Sequence, residues 1–313
     1  MTILYLTPVH PLLTQGFPLP RWQTQMSHVR SLEELGHHVS VVTYTPNDHI
    51  QLSLSERVIY NTKIALFSGK ADVIFLSLGA DVLFPATIQL LKKKLNVPLI
   101  VLSGVSPVTD GNPRERSIAK SADIVATNDP SHAGEWRELG ARQSIVLPIS
   151  AIDPALHYPR KAKRDIDILF VGTVTSERER FFQKFRKLLA PGISFVIKHH
   201  VFEEEYAKLL SRAKIVLNPI RPEMRHGANL RLFEIPAFGA LQLSSFTKRE
   251  WFEEKKEIVR YQDVEDSVGK AIYYIQHEND RRKIVEKAAE RVFTEHTFKK
   301  RFEKLIAYEK SFH

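Results

Sequence analysis

Residues 214–245 read KIVLNPIRPEMRHGANLRLFEIPAFGALQLSS. Three patterns follow one another in this stretch. Lys214–Asn218 is a short apolar run, Leu241–Leu243 is another, and between them 229–239 carries apolar residues at helical spacing. Leu230, Phe233 and Ala237 fall at i, i+3 and i+7 and make a buried stripe. Strand, loop, helix and strand in so few residues predict one turn of a parallel sheet with its crossover helix. The front of that helix is polar: Asn229, Arg231 and Glu234 sit where only packing residues are needed, and Pro236 interrupts the pattern as a kink.

The same alternation runs through the whole chain of 313 residues. Strands are predicted at Ile3–Leu6, Val39–Thr43, Val73–Leu78, Leu99–Leu102, Ile124–Thr127 and Ile145–Leu147, with helices from about 21, over 81–95, 112–121 and 130–139. Residues 147–165, LPISAIDPALHYPRKAKRD, hold three prolines and a basic cluster without periodicity, and read as a linker. The pattern then restarts with strands at Ile168–Val171, 193–197, 214–218, 241–243 and 257–261. The helices of this half fall at 177–189, 203–211, 229–239, 263–276, 278–291 and 294–311. The expected fold is α/β, two doubly wound, Rossmann-like parallel sheets facing across a cleft, where ligands bind at the carboxyl ends of the strands. The expected domains are 1–155, 156–293, and a final helix at 294–313 that packs back on the first domain.

No apolar run approaches the ~20 residues of a membrane-spanning helix. The opening MTILYLTPVH reads as a first strand rather than a secretion signal, and with no cysteine in the chain a cytoplasmic location is the expectation. The net charge of +9 is uneven: residues 1–155 carry 13 basic and 13 acidic side chains, and the excess lies entirely in 156–313. A basic half favours an anionic ligand or surface, although solvated helix faces account for many of its lysines.

That charge gives the polar helix front a meaning. Asn229 is placed to cap, and the amides of a helix start favour a diphosphate. Arg231 adds a forked donor for phosphate oxygens, and Glu234, one turn on, suits a vicinal diol such as a ribose. The alternative is an ordinary Arg231–Glu234 surface ion pair worth a few tenths of a kcal/mol. Gly239, with Ala237 and Ala240, leaves room for close backbone approach.

The segment GANLRLFEIPAFGAL resembles the G-x-N-x-R-x-F-E-x-x-A-x-G stretch of GT-B glycosyltransferases, in particular group-1-like proteins related to the spore-coat maturation protein CgeB. ILYLTP with RSLEELGHHVSVVTY, DILFVGTVTSERERFFQKF, EIVRYQDVEDSVGKAIYYI and AAERVFTEHTFKKRFEKL resemble further parts of that family, most specifically over 166–301. The resemblance implies metal-independent transfer of a sugar from a nucleotide-diphosphate donor, with a UDP-sugar the leading choice and no bound cofactor. By position it assigns Glu234 to the donor ribose, Asn229 and Arg231 to the diphosphate, Gly172 and Thr173 to the glycine turn beneath the donor, and Arg178 to phosphate. Lys198 and Asn218, at predicted strand ends, are placed as lining of the nucleotide pocket. One position departs from the pattern: His226 stands where many retaining relatives carry a glutamate, so the stereochemical outcome is not inherited.

For the acceptor hydroxyl, the candidate bases are His10, after the first strand, and Asp110, in SGVSPVTDGNP, each with a turn-forming role as the alternative. Asp165 and Asp167 mimic a metal-binding Asp-x-Asp but lead into a buried strand, and no metal site is expected. The acceptor is a glycan, surface-polymer precursor, protein or small molecule, and peripheral membrane contact stays open. The competing readings are a nucleotide-sugar epimerase and a nucleic-acid-binding or DNA-base-glycosylating protein. The charge balance of the first half argues against a nucleic-acid partner.

Overall fold

A computed structural model describes residues 1–8, 24–44, 52–78, 82–108, 113–220, 227–245 and 251–311. The chain divides into two compact units, Met1–Ile149 with Phe298–His313, and Ser150–Thr297.

The first unit runs β1 (Thr2–Thr7), α1 (Thr24–Glu34), β2 (His38–Thr43), α2 (Leu54–Ala65), β3 (Val73–Ser77), α3 (Pro85–Leu95), β4 (Leu99–Ser103), α4 (Pro113–Ile118), β5 (Ile124–Thr127), α5 (Pro130–Glu138) and β6 (Gln143–Val146). The strands form a parallel sheet in the order β2-β1-β3-β4-β5-β6. β3, β4 and β5 are buried along their whole length, whereas β2 and β6, at the edges, are largely not. This is why the central strands read as unbroken apolar runs: helices cover both of their faces.

The second unit contains β7 (Ile166–Val171), α6 (Ser176–Leu188), β8 (Phe195–Lys198), α7 (Glu203–Arg212), β9 (Ala213–Asn218), α8 (Arg231–Ala237), β10 (Leu241–Ser245), β11 (Val259–Tyr261), α9 (Val264–Gln276) and α10 (Glu278–Glu295). Its parallel sheet has the order β11-β10-β9-β7-β8. Ile168, Phe170, Phe182, Phe185, Ile215 and Leu217 lie in one buried cluster between the sheet and its helices. Each such side chain contributes about 1.5–3 kcal/mol by leaving water. The last helix, α11 (Phe298–Lys310), belongs to the first unit, where Phe302 meets the Phe75 ring edge-on at 5.7 Å.

Element boundaries differ from the sequence reading where capping chemistry decides them. The helix expected from 81 begins at Pro85, because proline fits the first helical turn and has no N–H to leave unpaired. The helix expected over 112–121 ends at Ile118 and continues as a 3₁₀ turn, Ala119–Ser121. The helix expected over 229–239 is seven residues, Arg231–Ala237.

Pro236 does stand inside α8, and it leaves carbonyls of the preceding turn without a helical donor. With its amide nitrogen turned toward the helix, Gln242 of β10 donates to Arg231 O at 3.1 Å and Leu232 O at 3.3 Å. The proline's missing bond is made good from the neighbouring strand. Gly239, at φ +74, closes the helix, and a β-carbon there would meet Arg164 rather than empty space. The expected close backbone approach at Gly239 is therefore to the protein's own arginine.

Candidate functional site

The carboxyl ends of β7, β8 and β9 bring most of the candidate residues together. β7 leaves the sheet through Val171 and Gly172, whose N–H donates to Lys198 O at 3.0 Å and whose φ is +146. That backbone conformation favours glycine, and a second constraint reinforces it: a β-carbon on Gly172 would collide with the Arg231 guanidinium, 3.1 Å from its Cζ. The glycine is what lets α8 set its arginine directly against the end of the strand.

Arg231 is half-buried, its Cζ 6.0 Å from the centroid of the Phe170 ring. Among the described residues its guanidinium makes no hydrogen bond and no ion pair. Arg178 is different. It donates to Thr173 O at 2.9 Å and to Pro219 O at 2.7 Å, so it staples the turn after β7 to the exit of β9. The chain positions Arg178 through Thr175, which caps α6 by accepting from the Arg178 N–H. Thr173 is exposed, and Lys198, also exposed, ends β8 with no partner for its ammonium among the described residues.

Asn218 and Asn229 form a reciprocal amide pair. Asn218 Nδ2 donates to Asn229 Oδ1 at 3.2 Å, and Asn229 Nδ2 donates back to Asn218 Oδ1 at 2.9 Å. Asn229 Oδ1 also accepts from the Leu232 N–H at 2.9 Å. Asn229 thus supplies the side-chain cap, while Leu230 occupies the formal cap position in helical conformation without a side-chain bond. The N–H groups of Phe233 and Glu234 both donate to Leu230 O. The Leu232, Phe233 and Glu234 amides at this helix start are used internally, and the Arg231 guanidinium beside them is an open donor.

Glu234 does not pair with Arg231. Its side chain is buried, with Oε2 accepting from Tyr206 Oη at 2.8 Å and Oε1 lying 3.4 Å from His157 Nε2. The reading of an exposed helix-surface ion pair falls on this geometry. Tyr206 and His157 were missed in the sequence. Tyr206 sits in an ordinary helical run, EEEYAKLL, and His157 in the proline-rich linker, so neither carries a periodic or motif signal. Burial, together with the Glu234 charge, pushes the Tyr206 phenol well above its usual pKa of 10, which keeps it a neutral donor.

The discounted patterns have structural partners. Asp165 forms a forked pair with Arg212, both bonds at 2.8 Å, and Asp167 binds Lys214 at 2.6 Å. His199 Nδ1 lies 2.9 Å from Gly172 O. Among the described residues no group of three or more His, Cys, Asp and Glu is arranged to hold a metal, and no helix is long and apolar enough to cross a membrane. His10, Asp110 and His226 lie outside the described residues.

Residues 155–307, just under half of the chain, match the family described as glycosyl transferase-like. No curated protein sequence matches the chain. Among solved structures, HepE of Anabaena in complex with UDP and glucose aligns at a TM-score of 0.70 with 11% identity, covering 99% of this chain and 100% of that one. An alpha-glucosyltransferase solved with UDP and a 13-mer DNA containing an HMU base gives 0.68 at 13% identity, covering 98% of both chains. A sucrose-phosphate synthase from Thermosynechococcus elongatus gives 0.64 at 14% identity, covering 99% of both. Identities this low establish a shared fold. The chain shares with these structures an architecture of two parallel-sheet α/β domains, and the residues of the matching region that gather at the strand ends are Gly172, Asn218, Asn229, Arg231 and Glu234.

Proposed function

We propose that the protein transfers a sugar from a nucleotide-diphosphate donor, a UDP-sugar first, and that the second unit holds the donor. The observation that carries this reading is the Arg231 guanidinium, held over Gly172 and Phe170 without a partner among the described residues, one turn from a buried carboxylate. Glycosyl transfer needs negative charge stabilised on the departing diphosphate. A fixed guanidinium does this without reorganisation at the moment of bond breaking. Glu234 accepts from the ribose diol, while Asn218 and Asn229 hold the start of α8 and Arg178 holds the turn that presents Thr173. The complexes of HepE with UDP and with UDP-glucose support the choice of uridine donor.

The first unit takes the acceptor side, with His10 or Asp110 as proton acceptor if the reaction inverts. Kinship with CgeB-type proteins and a cytoplasmic location belong to the same proposal. The acceptor is a glycan, polymer precursor, protein or small molecule.

Thermal-shift screening against UDP, GDP, ADP, CMP and dTDP tests the reading. One nucleotide diphosphate is expected to stabilise the fold, by roughly 2.7 kcal/mol at a hundred times its dissociation constant. Arg231→Ala is expected to abolish that shift and Glu234→Gln to reduce it, with the fold intact. An unchanged shift in both variants would move the donor elsewhere. No shift with any nucleotide, together with salt-sensitive DNA binding, would favour the nucleic-acid reading.

A further inference from the structure

Glu234 is gripped from two sides, and the two grips differ in kind. Tyr206, in the first turns of α7, donates to Oε2 at 2.8 Å, a normal hydrogen bond. Its ring meets the fully buried Phe238 edge-on at 6.0 Å, so the phenol has little freedom to leave. On the other side, His157 Nε2 stands 3.4 Å from Oε1, beyond the usual 2.9–3.0 Å for N–H···O. The imidazole is anchored at its far nitrogen, where the Asp153 N–H donates to Nδ1 at 3.0 Å. Asp153 O also lies 3.0 Å from Nδ1; in the tautomer in which Nδ1 accepts from the Asp153 N–H, the ring proton is on Nε2 and faces Oε1.

A carboxylate accepts at about four lone-pair sites. The tight phenol bond fixes the rotamer and takes one site on Oε2. The long imidazole contact fills a site on Oε1 that a stronger donor would take over.

We propose that Tyr206 is the positioning residue that aims Glu234 at a vicinal diol, and that His157 occupies, in the free protein, the Oε1 position that a ribose hydroxyl takes when the nucleotide binds. This rests on the donor reading above and deepens it. The two partners then have opposite effects on affinity: Tyr206 helps the ligand, and His157 competes with it.

The test compares UDP with 2′,3′-dideoxy-UDP, which lacks both hydroxyls, by titration calorimetry on the full chain. Wild type is expected to prefer UDP by about tenfold or more. Tyr206→Phe is expected to weaken UDP about tenfold and to leave dideoxy-UDP within about twofold. His157→Phe keeps a ring against Phe238, and is expected to bind UDP at least as tightly as wild type. Equal losses for both nucleotides in Tyr206→Phe, or no loss for either, would overturn the positioning role. A His157→Phe variant weakened selectively for UDP would overturn the exchange role. Failure of the donor reading itself looks different: wild type then binds neither nucleotide, or Glu234→Gln keeps the wild-type preference for UDP.

Discussion

The two ends of β7 are both crowded with charge, and they handle it in opposite ways. At the amino end both carboxylates are answered. Asp165 meets Arg212 in a two-pronged bond, and Asp167 takes Lys214 on one oxygen and the Ser194 N–H and hydroxyl on the other. At the carboxyl end Arg178 is spent on two carbonyls, and Arg231 is left open. An Asp-x-Asp is the more familiar functional pattern, yet here it fastens a strand. The arginine in the apolar-looking helix is left with hydrogen-bonding capacity to spare among the described residues. Compensation of charge, rather than its presence, separates the two ends of the strand.

The contrast can be broken most forcefully at Gly172. A Gly172→Val variant places a side chain where the Arg231 guanidinium lies, on a backbone with φ +146. UDP affinity is expected to fall by about a hundredfold or more, since the arginine must swing away and the turn must strain. Calorimetry showing wild-type affinity would mean that the guanidinium is not what binds.

The amino end predicts the reverse pattern. Asp167→Ala strands the half-buried Lys214 and is expected to cost about 1 kcal/mol in urea unfolding, while UDP affinity stays within about twofold. A loss of UDP affinity with unaltered stability would erase the distinction between the two ends.

The smallest effect is with pH. Burial raises the Asp167 carboxyl, but its bonds to Lys214 and Ser194 outweigh this and hold it below the ordinary 3.8. A carboxyl with a depressed folded-state pKa adds stability above about 3.8, and that contribution drains away as the pH falls through the folded value. Asp167→Asn is therefore expected to flatten the part of the melting-temperature decline below pH 4. The melting curves at pH 3 and pH 6 check this directly.

Much of the architecture was legible along the chain. Short apolar runs alternating with helical periods require only local pattern, so the strands and most helices fall within a few residues of expectation. The gathering of Gly172, Asn229, Arg231 and Glu234 was legible too, because each lies just after a strand or at the front of the following helix. Their individual duties were not. Arg178 looked like a phosphate ligand, but nothing in SERERFF signals that the carbonyls of Thr173 and Pro219 converge on it. Asn218 looked like pocket lining, and its amide is fully buried against Asn229. Tyr206 and His157 gave no signal, since their importance lies in one carboxylate that is distant in sequence.

By itself, the amino-acid sequence settled that this is a chain of parallel α/β units with a polar helix front following a strand. Hydrophobic periodicity is written in neighbours and needs no tertiary partner to be read. Only the tertiary structure decided which charges are cancelled. Asp165 and Asp167 find their cations 47 residues away, Tyr206 finds Glu234 at a separation of 28, and Arg231 is left with none among the described residues. Electrostatic compensation acts through space at a few ångströms, so it is fixed when the chain closes on itself.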